Sequence, residues 1–251
     1  MSTQGFVGAW TRENVASLVE KLEAAGIRHY DTALIYPVTN FEAAERLLGG
    51  IRKREFVIDT TNLFRPEALR RVNMEESICK SLETLGVTKN TVSDINNLLL
   101  SPRVTTLHAH APDKATPIAK QAANFDHFHW AGYFEQLGLC NYSAAQLSEW
   151  IGGGDGAMYN IFRRDYETTP FPLLRQHNIR FVANPTLAGG FATGKLTFAQ
   201  TAEQLQGTRF EGSSRPTGLA QTALRWLLFH PGPQSTDAVA IGPSSVTQLD
   251  E

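Results

Sequence analysis

The sequence predicts an α/β protein, a (β/α)8 TIM barrel, and three observations carry that expectation. Short apolar runs alternate with amphipathic helical patterns, and eight such runs can be counted. Alternation of this kind calls for parallel strands with helical crossovers, and 251 residues suits one barrel of about 250. The competing doubly wound sheet needs G-x-G-x-x-G after its first strand, and that signature is missing. A single domain over 1–251 is expected.

A weak first strand falls within 2–6. Val15, Leu18, Val19 and Leu22 then repeat at i, i+3, i+4, i+7, with Thr11 as N-cap and Gly26 as stop, which predicts the first helix. Strands follow at 27–32 and 56–60, separated by a helix over 41–48 that should end at Gly49-Gly50. Ile78, Leu82 and Leu85 mark a helix stopping at Gly86, and 104–110 reads as a strand. A helix is expected over 115–124, a strand over 136–140, and Ser143-Ala-Ala-Gln146 is a capping box opening a helix to Ile151. Strands at 157–161 and 179–183 flank a helix around 168–177. A helix over 217–229 and a strand over 237–241 complete the series, and Ser245-Val-Thr-Gln248 opens one more helix. Two segments fit less smoothly. Residues 90–103 sit where a barrel needs only a few residues and read as an insertion, and 207–216, rich in Gly, Ser and Arg, as a mobile loop.

Composition narrows the function classes. Apolar residues at 42%, charged residues at 19% and a formal charge of -2 leave no basic footprint for nucleic acid. Cys79 and Cys140 have no metal-ligand spacing and form no disulfide framework, so a reducing, cytoplasmic location is expected. No leader pattern opens the chain, and no apolar run approaches the roughly 20 residues that span a bilayer. No membrane partner is expected.

In a parallel barrel, chemistry gathers at the C-terminal strand ends. Those ends carry Asp31 and Tyr36, Thr60-Thr61-Asn62, His110, Cys140-Asn141, Tyr159-Asn160, Asn184-Pro185, and Gly242 with Ser244 and Ser245. A carboxylate and a phenol five residues apart, at the mouth of a cavity, suit proton transfer.

Asp31-Thr-Ala-Leu-Ile-Tyr36, Leu107-His-Ala-His110-Ala-Pro-Asp113, Leu137-Gly-Leu-Cys-Asn-Tyr142, Asn184-Pro-Thr-Leu-Ala-Gly-Gly190 with Thr193-Gly-Lys195, and Ile241-Gly-Pro-Ser-Ser245 with Gln248-Leu249 run through nearly the whole chain in order. In these motifs the chain resembles the aldo-keto reductases, in particular the branch of aflatoxin-aldehyde reductases and their fungal relatives. The resemblance implies a (β/α)8 barrel that binds NADP(H) and reduces the carbonyl of a small-molecule aldehyde or ketone, with a role in secondary metabolism. In that family a tyrosine protonates the carbonyl oxygen, a lysine acidifies the tyrosine, an aspartate pairs with the lysine, and a histidine orients the substrate. Carried over, Tyr36 is the acid, Asp31 the ion-pair partner and His110 the orienting group.

The lysine is missing: the family's Thr-Lys is Thr60-Thr61 here, and Lys53 lies upstream on the wrong side of the barrel. A phenol titrates near about 10, and a neighbouring ammonium favours its anion by roughly one to three units. Without it, the resemblance implies a barrier higher by about two to four kcal/mol, or about 10²–10³ in rate. Asp31 must then be solvated, protonated or re-paired.

The cofactor positions implied by the resemblance are Asn141, Asn160, Leu187, Gly189, Lys195, Ser244, Ser245, Gln248 and Glu251. Cys140 replaces the serine of the family's Ser-Asn pair. Ser244, Ser245 and Gln248 belong to a phosphate and adenine site at a helix start, where free amides favour an anion. The family's eighth helix and C-terminal loop have no counterpart after Glu251, so an uncovered flank and self-association are expected.

Rival functions stay open. Gly189 to Lys195 approaches a phosphate-binding loop, yet Leu196 stands where magnesium needs Ser or Thr. His108-Ala-His110 and His127-Phe-His129 are H-x-H pairs that would point together on strands, as ligands of a metal hydrolase do; the plainer reading puts His110 in the family's histidine position, His108 below it and the second pair on a surface helix, with no metal. A non-redox enzyme on the same scaffold (dehydratase, isomerase or cyclase) or an inactive homologue is the further alternative.

Overall fold

The structure, a computed structural model, describes residues 10–51, 56–61, 65–87, 104–150, 164–168, 170–188, 192, 220–230, 232–243 and 245–249. The chain divides into two compact units, Met1–Gly154 with Gly242–Glu251, and Asp155–Ile241.

The first unit is built on a parallel sheet whose order follows the sequence: β1 (His29–Asp31), β2 (Val57–Thr61), β3 (Val104–Ala109) and β4 (Gln136–Leu139). Sequential parallel order requires each crossover to return the chain to the same end of the sheet. The crossovers contain α2 (Ala43–Ile51), α3 (Arg71–Leu85) and α4 (Ile118–Trp130), while α1 (Arg12–Ala24) precedes β1 and α5 (Ala144–Trp150) follows β4. All four strands therefore surface at one edge, carrying Asp31, Thr61, His110 and Cys140 there.

Alternation settles which side chains face which way. Thr60 donates to Glu45 on α2 (2.5 Å), so it faces the helical layer. Its neighbours Asp59 and Thr61 face the opposite side, with His29 and His108. Val15, Leu18, Val19 and Leu22 of α1 are buried, as their spacing predicts. Trp10 donates through Nε1 to the Pro243 carbonyl (3.0 Å) and so ties the entry to α1 to the segment after residue 242.

The structure departs from expectation in three places. Helix α2 continues through Gly49-Gly50 to Ile51, and a Cβ at Gly49 would lie 2.5 Å from the Thr84 carbonyl oxygen. That glycine is required by the close approach of α3, and it is not a stop. Helix α4 begins later than predicted, since Asp113 and Thr116 form a turn closed by Thr116 N–H to Asp113 O (3.1 Å). The helix expected to open at Ser245 is a 3-10 turn, Val246–Leu249. Residues 2–6, 90–103, 157–161 and 207–216 lie outside the described residues.

In the second unit, β5 (Val182–Ala183) pairs in parallel with β6 (Ala238–Val239); α6 (Pro170–Gln176) precedes β5, and α7 (Ala220–Phe229) lies between the two strands in sequence. Asp237 holds the pairing in place: it receives both Arg175 guanidinium nitrogens (3.0 and 2.5 Å) and the Phe181 amide (2.9 Å). Phe171 and Phe181 pack edge to face above it, ring centroids 5.0 Å apart. Among the described residues no helix is long and apolar enough to cross a membrane.

Candidate active site

Tyr36 lies in the loop that leaves β1. The loop is pinned by Tyr36 N–H to Ala33 O (2.9 Å), Glu42 N–H to Leu34 O (2.7 Å) and Ala44 N–H to Tyr36 O (3.1 Å). Three backbone bonds in so short a loop leave the phenol a narrow range of positions. Tyr36 is 6% exposed, and its ring meets that of His110 edge on, centroids 5.9 Å apart at 85°. The β1 and β3 ends thus bring together two of the three residues named for chemistry. Asp31, the third, closes β1, half-buried and in register with Asp59 of β2.

His110 also lines a cavity of about 330 Å³ with Arg65, Leu69, Pro112, Asp113 and Lys114. Its wall is fixed by Asp113, whose carboxylate accepts from Glu67 N–H (3.2 Å), Leu69 N–H (3.2 Å), Ala115 N–H (3.0 Å) and the Thr116 hydroxyl (2.7 Å). Burial pushes this carboxyl up, but Thr116 and the three amides outweigh it and hold Asp113 below the usual carboxylate range. Two rim loops are stapled together by one side chain.

The interior face below the mouth is polar. His29 Nε2 donates to Asp59 Oδ2 (2.5 Å), and Thr106 N–H donates to Asp59 Oδ1 (3.0 Å). Burial raises the Asp59 carboxyl, yet the His29 bond, the His108 and His29 charges and a hydrogen bond from Thr106 together keep it below its ordinary value. Thr61, at the position of the expected lysine, is buried and in register with His108. Cys140 Sγ lies 3.6 Å from His108 Nδ1. The sequence reading did not pick out His29, Asp59 or Asp113. Period-two spacing of His29 with Asp31 and Asp59 with Thr61 was the available signal for the first two; Asp113 serves backbone amides, which no side-chain pattern reveals.

Of the cofactor positions, Asn141 is exposed, adopts φ 64° and donates through Nδ2 to the His110 carbonyl (2.8 Å), which ties the ends of β3 and β4. Its amide carries the donor and acceptor that a carboxamide requires. Ser245 and Gln248 lie in the first unit, where the Ser245 hydroxyl bonds the Thr247 hydroxyl (2.9 Å). A four-residue 3-10 turn aligns few peptide dipoles, so its pull on an anion is weaker than that of the predicted helix. Leu187 is half-buried after β5 in the second unit. Asn160, Gly189, Lys195, Ser244 and Glu251 lie outside the described residues.

His127 and His129 occupy the last turn of α4. Two residues apart on a helix they diverge, so the strand geometry that would aim them at one metal does not arise. Among the described residues no group of three or more His, Cys, Asp or Glu is placed to hold a metal.

A family model described as the aldo/keto reductase family matches residues 1–251. The chain is similar to an aldo-keto reductase of Pseudocercospora fijiensis, 29% identical, covering 93% of this chain and 88% of that protein. It is similar to human aldo-keto reductase family 7 member A3, 28% identical over 90% of this chain and 78% of the relative. Aflatoxin B1 aldehyde reductase member 2 of Rattus norvegicus is 32% identical over 61% of this chain and 53% of its own length.

Proposed function

Because the chain belongs to the aldo/keto reductase family, whose fold is the (β/α)8 barrel and whose members are carbonyl oxidoreductases, we propose that it is an NADPH-dependent reductase of small-molecule aldehydes or ketones, its chemistry weakened or specialised by threonine at position 61. The observation that carries this reading is the Tyr36 and His110 pair, rings 5.9 Å apart at the strand ends beside a cavity.

Tyr36 donates its phenolic proton to the carbonyl oxygen. His110, at right angles to the phenol and lining the cavity, orients that oxygen and excludes water from one side. Asp31 is half-buried at the end of β1, beside the loop that carries Tyr36. The cofactor, when bound, supplies hydride to the carbonyl carbon. Asn141 would hold its carboxamide, with Ser245 and Gln248 as further contacts, and the resemblance adds Leu187. Asn160, Gly189, Lys195, Ser244 and Glu251 complete the set by resemblance.

A non-redox reading, dehydration, isomerisation or cyclisation in the same pocket, draws on Thr61 alone. Fluorescence titration with NADPH, followed by turnover of a panel of aromatic and aliphatic aldehydes, separates the two. Saturable NADPH binding with aldehyde-dependent oxidation is expected. Absence of NADPH binding by a folded chain would overturn the reductase reading.

A further inference from the structure

Two residues with no part in the reduction above are built against each other on the interior face of the first sheet. Cys140 is fixed at the end of β4 by its amide, which donates to the Ala109 carbonyl (2.8 Å). Its sulfur lies 3.6 Å from His108 Nδ1. The imidazole occupies that place because residue 138 is glycine: a Cβ there would overlap Nδ1, Cε1 and Cγ of the His108 ring. Any other residue at 138 would displace the ring or the strand. The Asp59 carboxylate lies on the same face and interacts electrostatically with the His108 ring. Cys140 is half-buried and reachable at the mouth, while His108 beneath it is buried.

We infer that Cys140 and His108 form a thiol–imidazole pair that captures α,β-unsaturated carbonyl compounds as a covalent thioether at the rim of the sheet. His108 Nδ1 takes the thiol proton, and the sulfur bonds to the β-carbon of the conjugated carbonyl. The carbon–carbon π pair shifts to give an enolate, and the imidazolium returns its proton to the α-carbon. The net change is addition of S–H across C=C, with no electrons gained or lost. Addition suits this pair better than displacement, because the proton His108 removes is needed again by the product and no leaving group has to exit. The capture goes beyond the reductase reading and requires no hydride.

Cys79, exposed on α3, provides an internal reference thiol. The full chain is treated with limiting N-ethylmaleimide, itself a conjugated carbonyl, at pH 6 to 8, and alkylation at each cysteine is followed by peptide mass mapping. Cys140 is expected to react about tenfold faster than Cys79 at pH 6.5 despite its lower exposure, with a shallower fall in rate as pH decreases, because a paired base keeps the thiolate available. His108→Asn should slow Cys140 about tenfold and leave Cys79 unchanged. Faster reaction at Cys79 throughout the pH range overturns the inference, as does an unchanged Cys140 rate in a His108→Asn protein that retains its circular dichroism. Should that variant fail to fold, the wild-type comparison of the two cysteines decides alone.

Discussion

Asp59 and Glu45 are both buried carboxyls, and their surroundings push them in opposite directions. Glu45 accepts from two neutral hydroxyls, Thr60 (2.5 Å) and Thr84 (2.7 Å), which do not offset its burial, so its carboxyl is raised. Burial pushes Asp59 the same way, but the imidazoles of His29 and His108 and a hydrogen bond from Thr106 outweigh it. A depressed carboxyl stabilises the fold above its unfolded range and loses that contribution as pH falls through the folded value. Asp59→Asn should therefore destabilise the protein by about 1–3 kcal/mol at pH 7. In urea unfolding the gap to wild type should close as pH drops below about 4; a gap independent of pH would refute the charged pairing. A raised carboxyl works with the opposite sign, favouring the fold at low pH and opposing it as pH rises past the folded value. Glu45→Gln should accordingly gain Tm over wild type as pH rises above the ordinary glutamate range, and a Tm difference independent of pH would show that Glu45 titrates normally.

At the scale of elements, the rim depends on Asp113, which joins the loop before α3 to the loop before α4 through four donors. Asp113→Ala leaves three backbone amides to find new acceptors and should cost about 2–4 kcal/mol in denaturant unfolding. It should also raise KM for aldehydes more than it lowers kcat, because it loosens the cavity wall and leaves the Tyr36 loop bonds intact. An unchanged KM would detach the staple from the site. Much of this framework was legible beforehand: the buried i, i+3, i+4, i+7 stripe of α1, the Ser143 capping box, in which Ser143 N–H donates to Gln146 Oε1 (3.0 Å) and Gln146 N–H to Ser143 Oγ (3.3 Å), and Gly86 after α3. What was not legible depends on contacts distant in sequence. Gly49 reads as a stop until the Thr84 carbonyl oxygen, 2.5 Å from where a Cβ would lie, is known, and nothing in the sequence marks Gly138 until the His108 ring is placed over it. Asp31, Tyr36 and His110 could be named from motifs, yet only tertiary structure sets the Tyr36 and His110 rings edge to face.

For the whole molecule, membership in the aldo/keto reductase family accounts for the sequential parallel strands and for the gathering of polar residues where they end. Among the described residues, the interior face of the first sheet carries buried Thr61 in register with His108, next to the Asp59 carboxylate that His29 hydrogen-bonds. On the proposed reading Tyr36 transfers its proton without a neighbouring ammonium, and introducing a cation at position 61 should recover part of the roughly two to four kcal/mol such a charge is worth. The most direct measurement is NADPH-dependent aldehyde reduction, as kcat/KM, by wild type, Tyr36→Phe and Thr61→Lys, each with cofactor binding and circular dichroism verified. The predicted order is Thr61→Lys above wild type by about tenfold or more, and Tyr36→Phe below it by about 10²-fold. A Tyr36→Phe protein that binds NADPH and turns over at the wild-type rate would contradict the assignment of the phenol as the acid.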